Sequence, residues 1–126
     1  MKRMIILTIL LLTFLGVIKA NNKGKAEIRF EQSSHNFGTM NQGDAEVTFA
    51  FEFTNEGSAP LLITRTLTTC RCVKVVSPKR PIKAGQKGTI EVTFDPKDKG
   101  VFNKTIEVHA NIPGKTITLL ISGEVK

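Results

Sequence analysis

The chain is expected to be all-β, and three observations predict it. Apolar residues alternate with polar ones in run after run. Turn-forming clusters separate those runs. After the first twenty residues, no window repeats its apolar side chains at helical spacing.

The alternation is clearest from Glu46 to Asn55. Val47, Phe49, Phe51 and Phe53 share one parity, with Glu46, Thr48, Glu52 and Thr54 on the other. Such a segment buries one face as a strand. Ile90, Val92 and Phe94 form a second run, Ile106 and Val108 a third, and Ile117, Leu119, Ile121 and Val125 a fourth. Ile28 and Phe30 open the pattern. The runs are rich in Val, Ile, Phe and Thr, as strands favour. Asn41–Asp44, Asn55–Ser58, Ala84–Gln86, Asp95–Gly100 and Pro113-Gly114 supply the turns. About seven strands at this spacing predict an immunoglobulin-like β-sandwich over residues 26–126. One stretch conflicts: Leu61, Ile63 and Leu67 share their parity with Arg65. A bulge or an edge position would accommodate the arginine.

The N-terminus reads as a targeting segment. Lys2 and Arg3 precede an apolar run from Met4 to Ile18, and Ala20 precedes the polar Asn21-Asn22-Lys23-Gly24. These are the parts of a secretory signal peptide, and the apolar run is shorter than a membrane span of roughly 18–20 residues. Residues 1–20 are therefore expected to be removed and 21–25 to form a flexible lead. The expected location is the periplasm or the cell exterior. Ile18 stands where a small residue is preferred, so an uncleaved N-terminal anchor is the alternative.

The formal charge is +7. Lys2, Arg3 and Lys19 carry three of these charges, leaving +4 for residues 21–126. The basic residues look spread along the chain, as on a solvated surface. With no Trp or Tyr for base stacking, nucleic acid is not expected as a partner.

Chemistry concentrates in Cys70-Arg71-Cys72. On a strand, residues i and i+2 face the same way with Cα atoms roughly 6.6 Å apart. That is near the upper limit for a disulfide, so a bridge needs a local kink and would be readily reduced. Three readings stay open: structural packing or bridging, thiol exchange, and a weak metal site for a soft ion such as Cu(I). Arg71 and Lys74 would favour thiolates. His35 and His109 lack ligand spacing and read as surface or hydrogen-bonding residues. Ser33-Ser34-His35 has no carboxylate evidently placed to complete a triad. Gly85 and Gly88-Thr89 precede a strand, not the helix of a phosphate loop. Asn103-Lys104-Thr105 matches the N-glycosylation tripeptide, which matters only for a eukaryotic secreted chain. No catalytic residue and no cofactor is expected.

Several motifs occur in order: Phe37-Gly38-Thr39, Gln42-Gly43, Phe51-Glu52-Phe53-Thr54-Asn55-Glu56-Gly57, Pro60-Leu61-Leu62-Ile63, Cys70-Arg71-Cys72, Ile82-Lys83-Ala84-Gly85, Val92-Thr93-Phe94 and Ser122-Gly123-Glu124-Val125. Together they resemble a bacterial Ig-like domain-of-unknown-function family with a Cys-x-Cys signature, related in fold to Hydin-type (ASH) and major-sperm-protein-like domains. The resemblance covers nearly all of residues 28–126. Its motif positions here are Phe37, Gly38, Gly43, Asn55, Gly57, Pro60, Gly85, Phe94 and Gly123. The family's triplet is usually Cys-Gly-Cys followed by Thr, whereas Arg71 and Val73 stand here. If that Gly has positive φ, Arg71 implies strain or a different local shape.

The resemblance implies an exported, non-catalytic module that binds another protein or an envelope component. The alternatives are a thiol-redox or Cu(I)-handling envelope protein using Cys70 and Cys72, and a periplasmic chaperone-like domain. The last strand, bearing Lys115 and Lys126, is the expected sheet edge.

Overall fold

The computed structural model describes residues 24–126; the expected signal segment 1–20 lies outside them. Eight strands form: β1 (Ile28–Phe30), β2 (Ser34–Met40), β3 (Val47–Asn55), β4 (Ile63–Thr68), β5 (Val73–Val76), β6 (Lys87–Phe94), β7 (Gly100–Ala110) and β8 (Thr116–Val125). They make two four-stranded sheets, ordered β1-β3-β6-β5 and β2-β8-β7-β4. Among the described residues, no helix is long and apolar enough to cross a membrane.

The eighth strand arises because the N-terminal segment changes sheets. Glu31 N donates to Glu52 O in the first sheet, and Ser33 O accepts from Leu120 N in the second, both at 2.9 Å. β2 then runs parallel to β8. This pairing places β8 between β2 and β7, so the last strand is not an edge. The edges are β1 and β5 of one sheet, β2 and β4 of the other.

The expected parities hold at the core. Phe51, Phe53, Ile90 and Val92 of the first sheet, and Ile106, Val108, Leu119 and Ile121 of the second, are fully buried. Burying each such side chain contributes about 1.5–3 kcal/mol. Phe94 and Phe102 stack across the sandwich with ring centroids 3.9 Å apart. The conflict around Arg65 resolves both ways at once: β4 is an edge, and its register with β7 shifts between Ile63 and Arg65. The shift leaves Ile63 buried while Arg65 and Leu67 face solvent.

Asn55 is the one buried polar side chain among the described residues. Its Nδ2 donates to Ala59 O at 2.8 Å and Ile82 O at 2.9 Å. Its Oδ1 accepts from Gly57 N at 2.9 Å and Glu27 N at 3.3 Å. One amide thus ties together the entry to β1, the β3–β4 connection and the segment before β6. Gly57 permits the same crowding, since a Cβ there would overlap the Lys25–Glu27 backbone. Lys25 O accepts from Ser58 N at 2.9 Å, which anchors the chain ahead of β1.

Candidate functional site

Cys70 and Cys72 are bonded to each other in the connection from β4 to β5. The expected kink is a turn: Val73 N donates to Cys70 O at 3.2 Å, and the Cα atoms lie 5.2 Å apart. That separation is within the ordinary disulfide range. Cys72 N points at Cys70 Sγ, 3.2 Å away, and Asp95 N donates to Cys72 O at 2.9 Å. Both cysteines are half-buried and pack against the core, while Arg71 is exposed.

The disulfide lines a 140 Å³ cleft with Phe94, Phe102, Asp95, Asp98, Lys99 and Lys104. Two carboxylates oppose two ammonium groups there, so the sulfurs sit in no strong one-signed field. Lys74, expected to favour thiolates, is engaged with Glu46 at 3.3 Å. No cluster of three or more His, Cys, Asp or Glu forms among the described residues. A two-sulfur metal site would also require the bond to be open.

The bond closes a loop of only three residues. In the chain-entropy account such a loop contributes about 1.6 kcal/mol, against roughly 3 kcal/mol for fifteen residues. Cys70→Ser/Cys72→Ser is therefore expected to fold normally and lose no more than about 2 kcal/mol. Urea unfolding followed by circular dichroism measures this, and a loss above about 4 kcal/mol would make the bond a main support of the fold.

The histidines differ from expectation. His35 is half-buried, stacked on Phe49 at 3.8 Å between centroids, and edge-on to Phe37 at 4.7 Å. It is a packing residue, because pairing with β8 turns it toward the sandwich. His109 lies on β7, with Nε2 3.3 Å from Glu107 Oε1 but outside hydrogen-bond geometry; this buried nitrogen has no bonded partner among the described residues.

Residues 28–125 match the family described as "Protein of unknown function (DUF1573)". The chain belongs to this family. No curated protein matches it. Among solved structures it is similar to the ASH/PapD-like domain 7 of human CEP192, with 16% identity, a TM-score of 0.64, and coverage of 81% of this chain and 85% of that one. A protein of unknown function from Porphyromonas gingivalis W83 is 19% identical with a TM-score of 0.67, over 80% of this chain and 46% of that one. WR4, an MSP family member from C. elegans, is 10% identical with a TM-score of 0.52, over 81% and 100%. Identities this low bear on fold alone. They show that the fold of this DUF1573 member resembles PapD-like and MSP-like sandwiches.

The DUF1573 motif positions mostly hold the frame. Gly38, Gly43 and Gly85 have φ near +80°, where side chains are disfavoured. Gly123 seats the Phe102 ring, whose Cζ would lie 2.7 Å from an added Cβ. Phe94 stacks on that ring. Pro60 O accepts from Asn111 Nδ2 at 3.0 Å, and Asn111 Oδ1 accepts from Leu62 N at 2.8 Å. Arg71 carries no backbone penalty, because no non-glycine residue among those described has positive φ. Sequence reasoning missed Phe102, Asn111, Lys99 and Lys104 around these sites. Phe102 and Lys104 share the parity of Ile106 and Val108 on β7, a signal that could have found them, whereas Lys99 resembles any turn lysine.

Proposed function

We propose that this DUF1573 domain is an exported, non-catalytic interaction module that binds partner proteins at its sheet edges. The observation that carries this reading is the pair of edge strands β4 and β5, one ending each sheet and joined through the short connection that holds Cys70 and Cys72. Edge strands present unpaired backbone groups and are recurrent sites of strand addition. Leu67 on β4 and Val76 on β5 are 44% and 62% exposed, which leaves apolar surface beside those edges. The expected signal peptide supports action outside the cytoplasm.

A photo-crosslinking residue at Val76 or Leu67, introduced in the native host, should trap discrete protein adducts. The same residue at Thr48, on the open face of β3, should trap few. Monomer alone at all three positions, with the chain at native abundance, would refute the reading.

The half-exposed three-residue disulfide supports a second reading, thiol exchange with a reduced protein dithiol. A partner thiolate attacks one sulfur, the Cys70–Cys72 bond breaks, and a mixed disulfide forms. The partner's second thiolate then displaces it, so the partner is oxidised and both cysteines end as thiols. Rapid acid quenching and alkylation of growing cells should then trap the native chain as a mixed disulfide with its partner, and Cys70→Ser/Cys72→Ser should abolish that adduct. A pair that stays fully oxidised, with no trapped partner, would rule this out.

A further inference from the structure

The positive charge is not spread over the domain. From Gly57 to Ile90 there are seven basic side chains and no acidic one. The rest of residues 21–126, with eight basic and eleven acidic side chains, carries −3. Five of the seven, Arg65, Arg71, Lys74, Lys79 and Arg80, lie on β4, the disulfide turn, β5 and the bend after it, where the acidic neighbours are Glu91 and Glu107, paired across from Val76 and Leu67. Arg65 stands on β4, Arg71 on the disulfide turn, and Lys79-Arg80 on the bend after β5, and all are exposed. Pro78 and Pro81 bracket that bend and restrict its backbone. Lys74 and Lys87 pair with Glu46 and Glu52, but Arg65, Arg71, Lys79, Arg80 and Lys83 make no ion pair among the described residues.

We infer that β5 receives an extended acidic segment of a partner protein. This rests on the interaction-module reading and names its partner's chemistry. β5 is four residues long, with Arg71 just before it and Lys79-Arg80 just after it. A matching segment would add a short strand along β5, lay an apolar side chain on Val76, and carry Asp or Glu at both ends. Opposite charges at an interface set register and orientation as well as association rate. A guard against self-association would need only charge on the edge. It would not account for exposed Val76 within the edge and unpaired cations at both ends.

The test is to pan a random nine-residue peptide library against the full chain and against Arg71→Glu/Lys79→Glu/Arg80→Glu. The native chain should enrich peptides with an apolar core and acidic flanks. Those peptides should bind the variant at least ten-fold more weakly, and the variant should select basic flanks instead. Placing proline within the peptide core should abolish binding, whereas polyglutamate of equal charge should bind poorly. Identical peptides from both proteins would overturn the inference while leaving an interaction module intact. Equal binding of polyglutamate would overturn strand addition in favour of a general polyanion surface. No enrichment, together with aggregation of the variant, would make the charges a guard on the edge.

Discussion

Asn55→Leu should lower the stability of the domain by about 3 kcal/mol or more. The substitution keeps most of the volume and removes four hydrogen bonds. Ile82 O retains the bond from Leu61 N at 2.8 Å, but Glu27 N, Gly57 N and Ala59 O lose a partner at a part-buried site. Each such loss costs about 1–3 kcal/mol, offset in part by the added apolar burial. Asn55→Asp separates charge from shape. It keeps an acceptor for the two N–H groups but turns a carboxylate oxygen toward the carbonyls of Ala59 and Ile82. The protonated acid can donate to one of them, so burial and the two carbonyls raise its folded-state pKa. Its stability relative to Asn55→Leu should be highest in acid and fall as pH rises above the ordinary aspartate range. Urea unfolding across pH gives both numbers; circular dichroism is the readout, because the chain has no Trp or Tyr. A loss below about 1 kcal/mol for Asn55→Leu would mean that water replaces the amide.

Phe102→Ala should cost about 3–5 kcal/mol, the usual range for emptying a buried aromatic site. Phe102 is 7% exposed, stacks on Phe94 from the facing sheet, and lies over Gly123. No side chain at 123 can close the space from below. The same ring is a wall of the cleft at the disulfide. The variant should therefore also be reduced faster by a small thiol at matched stability, which timed alkylation and mass measurement would record. Phe102→Leu should lose less stability and leave the reduction rate near that of the native chain. Unchanged reduction in Phe102→Ala would mean that access to the sulfurs comes from the Arg71 side.

Much of the fold could be read from period alone. β3, β6, β7 and β8 alternate cleanly because each has one face on the core, so parity records burial directly. The conflict at Arg65 was legible as a conflict: an arginine on an apolar parity needs either a bulge or an edge, and β4 has both. The kink at Cys70–Cys72 followed from bond geometry, since an extended chain holds i and i+2 too far apart for easy bridging. Other features left no mark in the order of residues. Only Ile28 and Phe30 open the pattern at the N-terminus, and β2 is not separated as a strand, because a change of sheet alters partners rather than periodicity. His35 looked polar in its stretch, yet its ring is stacked on Phe49 from the opposite sheet.

The sequence by itself determined the sandwich, its core faces, the family and the chemically distinct cysteine pair, because side-chain alternation and motif order are local properties of the chain. Only the tertiary structure decided which strands are edges. The parallel pairing of β2 with β8 gives the last strand a partner on both sides, while the tertiary structure leaves β4 and β5 each paired on one side only. It also set the basic side chains of residues 65–80 on and beside those two edge strands. Edge status depends on which strand a backbone bonds to, and that is a non-local choice.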